Sequence, residues 1–218
     1  MNTFEMIAFL INTFFPNLLK NPGEVIEGRY RMLSDREAAL TELKNKEGAV
    51  VLILGMRGSG KTVLSHRLAQ FLDRPTYAIT PGQRSLEWIK EITLEEIESI
   101  PPNSTLLLDD LPLYMSSRDY SDSSVRNVER LIPIVRHKKI ILVFISQTSG
   151  FADRWVMDAD CILIKQMSLL YAEIERPAVK KLMDKARPYF EGKSEEWIKH
   201  HAYMITHSWE GLLEVKKV

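Results

Sequence analysis

An open, mainly parallel α/β sheet flanked by helices is the fold that this 218-residue sequence predicts, and two observations predict it. Five short apolar runs alternate with stretches of helical character. A glycine-rich segment ending in Lys61-Thr62 then stands between the first run and the first helix. The runs are Ala49 to Leu54, Thr76 to Ile79, Thr105 to Leu108, Ile140 to Ile145 and Cys161 to Ile164. They are nearly continuous in apolarity rather than alternating, as strands covered on both faces are. Helices are predicted over Thr62 to Leu72, Arg84 to Ile100, roughly Ser123 to His137, and Pro177 to Lys185. Strand and helix in alternation imply right-handed crossovers and hence parallel pairing.

The intervening segments are read from their turn residues. Pro101-Pro102-Asn103 ends the second helix, because the residue before a proline is pushed out of the helical region. Ser116 to Ser124 is polar without periodicity and reads as a mobile loop. Ala202 to His207 and Leu212 to Val215 flank Ser-Trp-Glu-Gly, which predicts a terminal β-hairpin. The resulting domain plan is an N-terminal helical extension over 1–45 and one nucleotide-type α/β domain over 46–218. The core of that domain spans about 48–166, and a C-terminal helix and hairpin occupy 167–218.

Composition sets outer limits. The 29 basic and 29 acidic residues cancel, so no global electrostatic signature marks a nucleic-acid binder. Any such contact has to come from a local patch or an assembled ring. A single cysteine, Cys161, excludes a disulfide framework and suits a reducing, cytoplasmic setting. Met6 to Leu19 is apolar-rich, but Asn12 and Pro16 interrupt it and it is too short to span a bilayer. No basic residue precedes Lys20, which disfavours a signal peptide. Phe4, Ile7, Ala8, Ile11, Phe14 and Phe15 fall at helical spacing, so an amphipathic helix is expected. It packs on its own domain or a neighbour, or else lies on a membrane surface.

Gly55-Met56-Arg57-Gly58-Ser59-Gly60-Lys61-Thr62 fits G-x-x-x-x-G-K-[ST] at every position. Glycines let backbone N–H groups converge on phosphates where side chains would obstruct them. Lys61 reaches the β and γ phosphates, the Thr62 hydroxyl ligates Mg²⁺, and the helix beginning there, through Val63, turns its positive end to the same anion. The preceding strand AVVLIL and following helix TVLSHRLAQFL supply the context that mechanism needs. The predicted fold is therefore that of a P-loop NTPase, with ATP and Mg²⁺ as cofactors.

Thr105-Leu-Leu-Leu-Asp109-Asp110 is an apolar strand ending in acids, the form of a Walker B element. Asp109 is expected to organise Mg²⁺. Asp110 either orients and deprotonates the attacking water or caps the next segment. The strand Ile140 to Ile145 runs on into Ser146-Gln147-Thr148. A Gln147 amide there reports nucleotide state or positions water, or simply caps the strand.

Walker A, an Asp-Asp Walker B and a strand closing in Ser-Gln resemble the FtsK–HerA superfamily of P-loop ATPases. The small viral genome-packaging ATPases look most similar, with zonular occludens toxin-like proteins of filamentous phage next. Arg136-His137 ahead of the Gln strand and the Asp158-Ala-Asp160 turn add to that likeness, which covers about 48–166. The resemblance implies ring-shaped assemblies, usually hexamers, that hydrolyse ATP between subunits and pull double-stranded DNA through a channel. It also implies an arginine finger from a neighbouring subunit, for which Arg126 and Arg130 are favoured over Arg118 and Arg136. Ser116 to Ser124 and Arg136-His-Lys-Lys139 are candidate DNA contacts. The sequence departs from the family at Asp110, where Glu is usual, so the carboxylate is one methylene shorter. Two alternatives stand beside this reading: a membrane-associated phage assembly or secretion ATPase, and a small-molecule kinase.

Overall fold

The computed structural model describes residues 37–80, 86–109, 131–146, 158–167 and 177–215. The chain divides into two compact units, 1–41 and 42–218. Of the first, only 37–41 is described, so the expected helix over Met6 to Leu19 lies outside the described residues. The second unit carries the sheet. Residues 37–45 are helical (α1).

The continuous apolar runs explain the architecture. All six positions of β1 (Ala49–Leu54) are buried, as are all six of β5 (Ile141–Ser146) and all five of β4 (Thr105–Asp109). Strands without a wet face need cover on both sides, and helical crossovers supply it. β1 leads through the glycine-rich loop into α2 (Lys61–Leu72), then β2 (Thr76–Ile79) and β3 (Ile89–Glu91). After β4 come α3 (Leu131–His137), β5 and β6 (Cys161–Ile164). The chain finishes with α4 (Pro177–Phe190), α5 (Glu195–Lys199), β7 (His201–Thr206) and β8 (Glu210–Glu214).

Among the described residues, eight strands form one sheet in the order β3-β2-β4-β5-β1-β6-β7-β8. Across the sheet from β3 to β6 neighbours pair in parallel, and β7 and β8 join antiparallel. The fold is thus the predicted mainly parallel sheet, and the predicted hairpin extends it by pairing with β6. On one face Val50, Leu52, Leu54, Leu106, Leu108, Leu142 and Phe144 pack with Val135 of α3 and Val179, Met183 and Phe190 of α4. α2 lies against β1, β4 and β5. Val51 and Ile53, fully buried and alternating with the first set, face its side.

One expected element differs. Arg84 to Ile100 is not a helix: residues 81–85 lie outside the description, Ile89–Glu91 is edge strand β3, and Leu94–Ser99 is a 3-10 helix. Ile89, Lys90 and Glu91 pair with Thr76, Tyr77 and Ala78, burying Ile89 and exposing the two charged residues. The Glu96 carboxylate then accepts the Thr93 N–H at 2.8 Å, starting a new helical turn there. A free sheet edge and a local cap outweigh a periodic spacing of isoleucines. Among the described residues, no helix is long and apolar enough to cross a membrane.

Candidate functional site

β5 lies between β1 and β4, with Leu54 opposite Ser146 and Asp109 opposite Ile145. The carboxyl ends of three strands therefore open side by side: the one feeding the glycine loop, the one ending in Ser146, and the one ending in Asp109. Ligands of open parallel sheets bind outside such ends.

The loop's shape depends on its glycines. Gly58 and Gly60 have φ of +78° and +88°, left-handed values that side chains resist. A Cβ on Gly55 would stand 2.7 Å from the Lys165 Cβ and 2.8 Å from the Ser59 Oγ, so only glycine fits. Met56 donates its N–H to the Gln166 carbonyl at 2.9 Å, and its own carbonyl accepts from Lys61 Nζ at 3.0 Å and from Ser59 N–H at 3.3 Å. Arg57 and Gly58 are exposed, while Ser59 and Lys61 are buried.

Gly60 caps α2 without a side-chain hydrogen bond, and no acid occupies the helix's first turn. The positive end of its dipole is therefore not offset by an acidic side chain of its own first turn and suits an anion. Ser59 Oγ adds to this, being buried without a hydrogen-bond partner among the described residues. A buried orphan hydroxyl costs about 1–3 kcal/mol, which a bound acceptor relieves. The cradle fits a polyphosphate. Val63, the next residue after the loop, is 52% exposed.

Thr62 Oγ1 donates to Asp109 Oδ2 at 2.8 Å, joining residues 47 apart in the chain. Asp109 is only 2% exposed. A hydroxyl and a carboxylate in contact form a hard-oxygen donor pair of the kind Mg²⁺ takes with phosphates and water. Among the described residues, no group of three His, Cys, Asp or Glu is placed to hold a metal. A phosphate-bridged Mg²⁺ needs no such group. Asp110, Arg126, Arg130 and Gln147 lie outside the described residues, as do Arg118 and Ser116 to Ser124. Arg136 is described, exposed in the last turn of α3.

Sequence reasoning misses Lys165. It is fully buried directly after β6, and its ammonium donates to the carbonyls of Ile198 (2.6 Å), Lys199 (2.9 Å) and His201 (2.6 Å). Burial pulls it down to about 8, which leaves it protonated at neutral pH. The available signal is a lysine continuing the apolar run CILI, a charge where a strand is otherwise buried. The Asp158-Ala-Asp160 turn has a structural part at its end. Burial alone would raise the Asp160 carboxyl, but hydrogen bonds from Lys46 and the Val50 N–H hold it below its usual value, helped by the Lys46 and Arg136 charges.

No protein-family model matches the chain, and no curated protein matches its sequence. Solved structures do. The DNA-packaging ATPase B204 from Sulfolobus Turreted Icosahedral Virus superposes with a TM-score of 0.54 at 13% identity, over 78% of this chain and 98% of that one. The genome packaging NTPase B204 from Sulfolobus turreted icosahedral virus 2, in complex with AMPPCP, gives 0.51 at 12% identity over 79% and 98%. Its ATP-gammaS complex gives 0.50 at 10% identity over the same shares. The likeness is one of fold, and it extends over nearly the whole of those ATPases: this chain has the P-loop NTPase fold.

Proposed function

We propose that the chain is an ATP-hydrolysing motor that moves double-stranded DNA, a genome-packaging ATPase working as a ring. The observation that carries the ATPase part is the Thr62–Asp109 contact at the mouth of the phosphate loop. It joins the two halves of a nucleotide site across the inserted strand β5. Likeness of fold to viral packaging ATPases, together with the Ser-Gln strand end, supports DNA as the substrate moved and a ring, six-membered by the family resemblance, as the working form.

In this reading the loop amides of 58–62 and Lys61 hold the β and γ phosphates in line for attack. Water adds to the γ phosphorus, the bond to the β–γ bridging oxygen breaks, and ADP leaves with that electron pair. Asp110 receives the water's proton and passes it to solvent. Gln147 orients the water. Arg126 or Arg130 of a neighbouring copy meets the charge that builds on the γ oxygens. Thr62 and Asp109 would hold Mg²⁺, which when bound neutralises charge on the β and γ oxygens.

The test is steady-state phosphate release from MgATP with and without duplex DNA, with Lys61→Ala as the blank. Hydrolysis stimulated by DNA and lost in the variant is expected, together with a ring in sedimentation. Hydrolysis indifferent to DNA from a monomer would overturn the motor and leave the ATPase. No hydrolysis and no nucleotide binding would overturn both.

A further inference from the structure

We propose that Lys165 is a positioning residue of the phosphate-binding loop, clamping the α5–β7 connection against it so that the C-terminal segment sets the loop's shape. The proposal rests on the nucleotide-site reading of 55–62.

The clamp is built from both of its ends. The Lys165 N–H donates to the Leu54 carbonyl at 2.7 Å, continuing the β6–β1 ladder by one residue. That bond seats the start of its side chain against Gly55, the first residue of the loop, where a Cβ would meet it at 2.7 Å. The next residue, Gln166, takes the Met56 N–H. The side chain then runs under the loop: a Cβ at Gly60 would lie 3.8 Å from Lys165 Cε and 3.4 Å from the Lys199 carbonyl oxygen. At its tip the ammonium gathers three carbonyls from Ile198, Lys199 and His201. Two of these belong to the last turn of α5, where orphan carbonyls and the negative end of the helix favour a cation.

One side chain thus starts against the first residue of the loop, passes beside the sixth, and ends on a segment more than thirty residues after Lys165. The ordinary occupant of such a place is apolar, because burying an ammonium is unfavourable even when it is paired. Methionine would fill the volume equally well but take the charged donor from all three carbonyls, leaving that of Ile198 only the His200 N–H, and free the 198–201 segment to move off Gly60. Among the described contacts, Lys165 is the side chain that lies beneath the left-handed turn at Gly60.

The experiment compares full-length wild type with Lys165→Met and with Ser194→Ala. Ser194 accepts the Trp197 N–H at 3.2 Å and caps α5, so its loss loosens the same carbonyls from the far side while Lys165 stays. Two readouts are taken: kcat and KM for MgATP, and hydrogen exchange of the 55–62 amides in nucleotide-free protein. Lys165→Met is expected to lower kcat/KM by about 10- to 100-fold, the scale of a small misplacement of positioning groups. Exchange should quicken at 55–62 and stay as in wild type within β1 and β5. A folded Lys165→Met with wild-type kcat/KM and wild-type exchange at the loop overturns the proposal. Should that variant not fold, Ser194→Ala decides: a raised KM with faster loop exchange supports the clamp, and unchanged values overturn it. If wild type neither binds nor hydrolyses ATP, the functional reading fails, while loop exchange still decides the clamp.

Discussion

The two ends of the same sheet are finished in opposite ways. At the amino end of the strands, side chains close the backbone off. Arg74, just before β2, donates to the carbonyls of Lys44 (2.9 Å), Lys46 (2.6 Å), Glu47 (3.3 Å) and Lys139 (3.3 Å). Asp160, just before β6, accepts from the Lys46 ammonium at 2.7 Å and the Val50 N–H at 2.9 Å. At the carboxyl end, Gly60 begins α2 without a side-chain cap and Ser59 Oγ is buried without a partner among the described residues. One end uses Arg74 and Asp160 to hold the strands together, although Thr105 Oγ1 at the start of β4 is also buried without a partner among the described residues. The other keeps donors aimed at a place where a ligand can stand. The contrast separates residues that fold the protein from residues that give it chemistry.

Substitutions at the two ends should therefore part stability from activity. Asp109→Asn tests the open end and carries the largest effect expected. Hydrolysis should fall by about 10²–10³-fold, the scale of losing one preorganised electrostatic group. The denaturation midpoint should change little, since an amide of equal size still accepts from Thr62. A large stability loss with modest kinetic change would erase the contrast.

Arg74→Ala tests the closed end. It strips four carbonyls of a charged donor, so unfolding in urea should become easier by about 2–3 kcal/mol. kcat and KM for MgATP should stay near wild type. A kinetic defect larger than the stability defect would show that the amino end is not merely structural.

Asp160→Asn gives the smallest effect and sharpens the comparison through pH. The folded carboxyl is held below its ordinary 3.8, so its contribution is fully present above that value and fades as pH falls through the lower folded value. Wild type should exceed the variant by about 1 kcal/mol from pH 5 to 8, and the gap should close below about pH 4. A gap that persists in acid would assign Asp160 a role other than its charge.

These ends are legible in the sequence to different depths. The phosphate loop is plain because its chemistry is local: the consecutive residues Gly55 to Thr62 fix glycine conformations, lysine and hydroxyl together. The parallel strands are plain because full burial leaves continuous apolar runs. Asp109 stands out from the same kind of run. Its meeting with Thr62, however, depends on β5 inserting between β1 and β4, which is a property of strand order. Lys165 stays hidden because its partners lie 33 to 36 residues away and are carbonyls, which every residue has. Arg84 to Ile100 misleads because isoleucines three and five apart suit a helix and an edge strand followed by a turn equally well. Arg74 and Asp160 give no sign of their contacts either, since their work is done on backbone brought together by the crossovers.

The strands at the margins of the sheet bear on how copies of this chain can meet. β3 is three residues long, with Lys90 and Glu91 both exposed, and β8 carries exposed Glu210 and Glu214. Short, charged borders are poor templates for another strand, so the continuous β-ribbon that an open eight-stranded sheet invites is discouraged on both sides. Any self-association of this chain is thereby steered to side chains on helices and loops rather than to strand pairing.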